Sequence, residues 1–211
     1  EGISEIFFTL LLDAMVQGRD TIITSGIEHS AVVNSAKFFE TRGYKVKILP
    51  TSTDGVVDIA SLENMLQQDG KRIAMVAVMA ANNEIGVLQP IRAIAQLCRA
   101  RGIRFHCDGA QAVGHIPLQP AELGIDLLSI SGHKLYGPKG IGALLVRPGV
   151  RLAPQLHGGN QQEGLRAGTL PVPLVVGLGA AVEQAMAYRE ARARRLGALR
   201  DQLWDGLAAL G

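Results

Sequence analysis

The sequence predicts an α/β fold in which a mostly parallel β-sheet carries helices on both faces and one strand runs antiparallel. Short apolar runs alternate with stretches of helical periodicity, and parallel neighbours require such crossovers. The last two apolar runs are joined by only about ten glycine-rich residues, which is too short for a helical crossover. The final strand is therefore predicted to be antiparallel. With 211 residues, 47% of them hydrophobic and 19% charged, the chain has a globular composition.

The predicted elements follow one another in a regular order. The first residues open a helix, with Ser4 placed to cap it. Three helices are predicted between the early strands, starting at Ser30, Ile59 and Pro90. One long or kinked helix is predicted from Val172 onward. Six apolar runs predict strands at 21–24, 45–49, 73–78, 103–107, 126–130 and 141–146.

Charge and hydropathy exclude several classes of partner. A net charge of +2 gives no electrostatic reason to expect nucleic acid, and the basic run 192–195 lies in a helical pattern typical of a solvated face. No apolar stretch approaches the roughly 18 residues of a membrane span, and no secretory signal opens the chain. These features predict a soluble, cytoplasmic protein without a membrane partner.

The two cysteines are predicted to be packing residues. Cys98 and Cys107 form neither a C-x-x-C pair nor a disulfide framework, so no metal site is expected. Cys98 lies on the apolar face of a helical pattern. Cys107 shares one face of a strand with Ile103 and Phe105. Burial is the expected outcome for both.

The segment 129–134 carries the most specific chemistry, because it ends an apolar run with hydroxyl and imidazole side chains and then Lys134. Asp108 and Gln111 follow the preceding run, and His29 stands at a strand-to-helix junction. Pyridoxal phosphate needs an amine for its aldehyde, a carboxylate for its ring nitrogen, an aromatic or imidazole lid, and donors for its phosphate. The sequence offers a candidate for each.

Each candidate also has a simpler interpretation. Asp108 could cap a helix after a strand, and His29 could be an ordinary helix-start histidine. Lys134 could be a surface lysine, although that interpretation fits Lys139 better because Lys139 lies in a Gly-Pro turn. The asparagines at 82–83 could simply form a turn.

In combination, these residues resemble the NifS/IscS-type cysteine desulfurases, which are class V members of the fold-type I pyridoxal phosphate enzymes. The matching stretches occur in family order and cover nearly the whole chain: 27–32, 82–86, 108–111, 131–140 and 164–169. The resemblance implies the large domain of a fold-type I transferase, with pyridoxal 5'-phosphate as the cofactor.

The resemblance also implies roles around the cofactor ring. Lys134 would hold the cofactor covalently, and His29 would stack on the ring and exchange protons. Asp108 would bind the ring nitrogen. Gln111 would hydrogen-bond the phenolic oxygen, and Asn83 would lie beside that oxygen and the substrate carboxylate.

Further residues are implied at the phosphate. Ser131 and His133 would hold it, and Ser4 stands where the family usually has a threonine. Thr169 resembles the residue that reaches the phosphate of a partner subunit, which implies a homodimer.

The implied reaction removes sulfur from L-cysteine, giving L-alanine and an enzyme persulfide for iron–sulfur cluster or thiocofactor synthesis. A sulfur-acceptor or scaffold protein is then the expected partner. Two alternatives remain: a selenocysteine or cystine lyase of the same family, and a catalytically incomplete dimerisation fragment that binds the cofactor.

The resemblance divides the chain unevenly. Residues 1–188 are expected to form most of the cofactor-binding large domain, without its N-terminal part, and residues 189–211 the start of a truncated small domain. The family's sulfur-accepting loop cysteine and its substrate-binding arginine belong to a C-terminal region beyond this sequence. Neither Cys98 nor Cys107 lies in a matching motif, so neither is expected to accept sulfur.

Overall fold

The computed structural model describes residues 2–210 and contains a six-stranded sheet flanked by helices. The strands are β1 (Thr21–Ser25), β2 (Lys45–Leu49), β3 (Ile73–Met79), β4 (Arg104–Asp108), β5 (Leu127–Ser131) and β6 (Gly142–Val146). The helices are α1 (Gly2–Val16), α2 (Ser30–Glu40), α3 (Ile59–Asp69), α4 (Ile91–Ala100), α5 (Pro120–Leu123), α6 (Val172–Ala187) and α7 (Arg189–Ala208).

The strand order is β2-β1-β3-β4-β5-β6, and every neighbouring pair is parallel except β5 and β6. The predicted α/β fold with one antiparallel strand is therefore confirmed. Predicted strand bounds differ from the observed ones by one residue at several ends. The predicted C-terminal helix is present in its kinked form, divided at Tyr188 into α6 and α7.

The sheet separates two apolar cores, because successive side chains of a strand point to opposite faces. Helices α3 and α4 pack on the face that contains Phe105 and Cys107 of β4. Helices α1 and α2 pack on the other face. Strand alternation turns His106 and Asp108 to that second face, one residue out of step with Cys107.

The predicted role of Ser4 as a helix cap is wrong. Helix α1 already begins at Gly2, so Ser4 lies inside its first turn. Ile6 and Phe7 of α1 are fully buried in the core that this helix shares with α2, and their packing extends the helix upstream of Ser4. No helix in residues 2–210 has the length and apolar character needed to cross a membrane.

Candidate active site

Four neighbouring parallel strands end at one edge of the sheet, and each leads to a residue with a predicted role. β1 leads to His29 and β3 to Asn83, β4 ends at Asp108, and β5 leads to Lys134. These strands are consecutive in the sheet, so their carboxyl ends lie side by side. The fold brings the four residues to a common edge.

Asp108 is the last residue of β4 and is only 4% exposed. Its Oδ1 accepts hydrogen bonds from the backbone nitrogen of Ala110 at 2.9 Å and from Ser129 Oγ at 3.3 Å. The bond from Ala110 is the one that a turn-forming aspartate makes, but it occupies only Oδ1. Within residues 2–210, no donor bonds to Oδ2, so this oxygen can pair with a cationic N–H group.

His106 and Ser129 extend the polar surroundings of Asp108 into the sheet. His106 is fully buried, and its Nε2 lies 3.2 Å from Ser129 Oγ. Burial lowers the pKa of His106 to about 3, so the imidazole is neutral at physiological pH. Sequence reasoning assigned no role to His106 or to Ser129. The sequence feature that could have identified His106 is its spacing of two residues from Asp108, which places both side chains on one face of β4.

Glu28, which directly precedes His29, is a buried carboxyl that sequence reasoning also missed. Its Oε1 accepts hydrogen bonds from Ser25 Oγ at 2.5 Å and from the backbone nitrogen of Met79 at 3.0 Å. Desolvation raises the pKa of Glu28 to about 7, the nearby charge of Asp108 adds to the increase, and the two hydrogen bonds oppose it. Glu28 thus ties the β1–α2 connection to the end of β3.

The connections after β1 and β3 enclose a cavity of about 460 Å³, and His29 and Asn83 line it. The side chain of His29 is exposed and caps α2, because its Nδ1 accepts a hydrogen bond from the backbone nitrogen of Ala31 at 3.2 Å. The expected turn at 82–83 is formed by Asn82, whose Oδ1 accepts two backbone hydrogen bonds. Asn83 is exposed, so its amide remains available to a ligand.

Lys134 lies on a short 3₁₀ helix, Gly132–Leu135, that directly continues β5. Its side chain is exposed, and within residues 2–210 it has no ion-pair partner. Ser131 Oγ lies 3.1 Å from Nδ1 of His133, so two of the predicted phosphate ligands are adjacent. A side chain at Gly132 would place its Cβ only 2.8 Å from the carbonyl oxygen of Ile141, which explains the glycine before this hydroxyl and imidazole pair.

The remaining predicted site residues lie farther along the connections. Gln111 is half-buried in the turn after β4. Ser4 lines a second cavity, of about 370 Å³, whose wall contains four phenylalanines together with small and polar residues. Ser30 lines both cavities, so the two are neighbours. Thr169 is exposed in the loop before α6.

Both cysteines are buried, as predicted. Burial raises the pKa of Cys98 to about 12. Burial also raises the pKa of Cys107, and the neighbouring carboxyls of Asp108 and Glu28 add to the effect. Neither thiol is accessible as a thiolate at neutral pH.

The donor set at this edge fits pyridoxal phosphate. A buried carboxylate with one open oxygen suits a protonated ring nitrogen, and an exposed lysine suits an aldehyde. An imidazole stands at the cavity wall, and a hydroxyl and imidazole pair adjoins the lysine. An α/β sheet with these groups at its carboxyl edge defines the class of fold-type I pyridoxal phosphate enzymes.

Comparison with known families agrees with this class. The aminotransferase class-V model matches residues 3–211, and the chain belongs to that family. Pyridoxal phosphate is the cofactor of the family.

The names of individual relatives are more specific than that of the family. The chain is 47% identical over 188 residues to the cysteine desulfurase IscS of Pectobacterium atrosepticum, a match that covers 88% of this chain and 46% of the relative. A solved NifS-like protein superposes with a TM-score of 0.94 and 38% identity, covering all of this chain and 57% of the other. A structure described as SspA in complex with cysteine gives a TM-score of 0.75 at 38% identity, over 86% of this chain and 53% of the other. The chain thus spans about half the length of the curated relatives it matches.

Proposed function

We propose that the protein is a pyridoxal phosphate-dependent cysteine desulfurase that converts L-cysteine to L-alanine and passes the sulfur to a protein thiol as a persulfide. The supporting observation is the alignment of His29, Asn83, Asp108 and Lys134 at the ends of four consecutive parallel strands. Relatives named cysteine desulfurase and a similar structure described with bound cysteine support this choice of substrate.

The bound cofactor supplies an electron-withdrawing ring that stabilises negative charge at the substrate α-carbon. Asp108 would hold the ring nitrogen through Oδ2, since Oδ1 already accepts two hydrogen bonds. Lys134 would hold the cofactor through its aldehyde, and its exposed Nζ would serve as the base that takes the substrate α-proton. His29, which lines the cavity, would cover the ring, and the half-buried Gln111 would donate a hydrogen bond to the phenolic oxygen.

The phosphate is the second anchor. Ser131 and His133 are the proposed ligands from this edge, since they adjoin each other and Lys134. Ser4 and Thr169 are proposed as outer ligands, with Thr169 serving the site of a second copy in a homodimer. Exposed apolar side chains on α6 and α7, among them Val176 and Trp204, support the proposal that another part of the protein or a second copy packs on these helices.

Substrate binding and sulfur transfer need groups beyond those at the edge. Asn83 is proposed to bind the substrate carboxylate together with an arginine from the rest of the protein. The sulfur-accepting thiolate is proposed to lie outside this sequence as well, because Cys98 and Cys107 are both buried. We place the boundary between large and small domains at the break between α6 and α7, and the protein itself in the cytoplasm with a sulfur-acceptor partner.

The proposal is tested by incubating the holoenzyme with L-cysteine and dithiothreitol and quantifying alanine and sulfide. We expect equimolar products over many turnovers. L-selenocysteine is assayed in parallel, and L-cystine is assayed without dithiothreitol, which would reduce it to cysteine. These two assays separate the related lyases. Faster turnover of either compound contradicts the proposed substrate. Bound cofactor without any product identifies a catalytically incomplete module instead.

A further inference from the structure

We propose that His106 and Ser129 are positioning residues that orient Asp108 toward the cofactor's ring nitrogen, through a directed chain of hydrogen bonds that starts at the Nε2–H group of His106. This inference rests on the proposed function, because it assigns the partner of Asp108 to the ring nitrogen. It concerns two side chains buried beneath the site, neither of which reaches the substrate.

The register of the sheet places the three side chains together. Asp108 of β4 is the direct neighbour of Ser129 on β5, and His106 lies two residues before Asp108 on the same face. His106 Nε2 is 3.2 Å from Ser129 Oγ, and Ser129 Oγ is 3.3 Å from Asp108 Oδ1. The contacts thus form an unbranched path from the sheet interior to its carboxyl edge.

The chemistry of the groups fixes the direction of the path. A carboxylate only accepts hydrogen bonds, so the single proton of Ser129 Oγ is directed to Asp108. Ser129 must then accept from His106, which requires the proton on Nε2 and leaves Nδ1 unprotonated. No partner of Nδ1 exists within residues 2–210, so the opposite tautomer would bury an unpaired N–H group as well as break the path.

The path determines which oxygen of Asp108 faces the ligand. The donors Ala110 N and Ser129 Oγ both bond to Oδ1, and together they fix the plane of the carboxylate. Oδ2 then has one orientation, and a preorganised acceptor needs no rearrangement when the ring arrives. Burying an imidazole with one unpaired nitrogen costs free energy, and an apolar side chain at this position would avoid that cost. Orientation of Asp108 is a function that accounts for that cost.

The first test uses the protein without cofactor. Ring ¹⁵N chemical shifts of His106 should show a neutral imidazole protonated at Nε2. Ser129→Ala should change these shifts, because it removes the acceptor, and Ser129→Thr should restore them. A wild-type His106 protonated at Nδ1 overturns the inference whatever the enzyme's activity.

The second test uses holoenzyme with ¹⁵N-labelled cofactor. We expect Ser129→Ala and His106→Leu to move the ring-nitrogen shift away from its wild-type value. Both should lower kcat by roughly 10- to 100-fold at similar KM, the range found when the hydrogen-bond partners of metal-ligating side chains are removed. His106→Gln retains an N–H donor near the position of Nε2, so it should recover part of the wild-type ring-nitrogen shift and part of kcat. Cys107→Ala is the matched control, because this side chain occupies the opposite face of β4.

The outcomes separate this inference from the proposed function. A changed ring-nitrogen shift in Ser129→Ala supports the positioning role even when wild type releases no alanine from cysteine. An unchanged shift and unchanged kcat in both Ser129→Ala and His106→Leu contradict it, even in an active desulfurase.

Discussion

The candidate site consists of two regions that differ in burial. Its floor, formed by His106, Asp108 and Ser129, is buried and internally hydrogen-bonded. Its rim, formed by His29, Asn83, His133 and Lys134, is exposed. Both regions lie at the same sheet edge, but strand register fixes the floor, whereas connections after the strands carry the rim.

This difference separates two kinds of function. A buried, hydrogen-bonded group is oriented before any ligand arrives, so the floor is suited to electrostatic recognition. An exposed group with few partners is free to move and react, so the rim is suited to covalent and proton-transfer chemistry. Rim substitutions should therefore change activity with little effect on folding, whereas floor and near-floor substitutions should change both.

The largest expected effect belongs to the rim. Lys134→Ala removes both the covalent anchor and the proposed proton acceptor, so alanine formation should fall by about 10⁴-fold. The melting temperature of the cofactor-free protein should stay within about 1 °C, because the side chain is exposed.

Lys139→Ala is the matched control, since Lys139 is an exposed lysine in the following turn. Borohydride reduction of the holoenzyme followed by peptide mapping should label Lys134. A pyridoxyl group on Lys139 reverses the assignment.

The second effect belongs to the floor. Asp108→Asn keeps the shape of the side chain but removes its charge, so the exchange of the substrate α-hydrogen with solvent should slow by about 10²- to 10³-fold. The same change should lower the pKa of Glu28, which the charge of Asp108 helps to raise.

Hydrogen exchange is followed by NMR, and the Glu28 carboxyl by its ¹³C shift. Asp54→Asn, in an exposed turn, is the control. Wild-type exchange in Asp108→Asn excludes a role of this charge in catalysis.

The sequence predicted the rim better than the floor. Lys134 and His29 were found because they follow apolar runs, and strand ends are visible as local patterns. The pairing of Ser129 with Asp108 was not visible, because it depends on register between strands 21 residues apart in the chain. The contact of His106 with Ser129 was hidden for the same reason.

The fold was predictable because periodicity and connection length are local properties. A ten-residue glycine-rich link alone determined the antiparallel direction of β6. The start of α1 was less predictable, because burial of Phe7 and its neighbours outweighs the capping preference of Ser4. The raised pKa of Glu28 could not be predicted from the sequence either, since it results from burial in the assembled fold.

The third prediction concerns Glu28, which lies between rim and floor. Its pKa is about 7 in the folded protein against 4.5 for the free side chain, so the folded state binds more protons between these values. The free energy of unfolding should therefore fall, by on the order of 3 kcal/mol, as pH rises from about 4.5 to about 7, and then stay level.

Glu28→Gln should lack this decrease. Urea unfolding of both proteins at several pH values gives the difference between them, and the opposite contribution of His106 cancels because both proteins contain it. A difference in stability that does not vary with pH contradicts the assignment of a raised pKa to Glu28.

The smallest expected effect decides between the two interpretations of His29. Its Nδ1 caps α2, so His29→Ala should lower stability by about 1 kcal/mol or less, as for loss of an exposed helix cap. Asparagine is a good cap but has no ring, so His29→Asn should recover the stability and leave activity as low as in His29→Ala. Thermal melts and alanine assays on the same samples measure the two properties separately. Recovery of activity in His29→Asn would show that capping is the whole function of this residue, and the ring would then have no role over the cofactor.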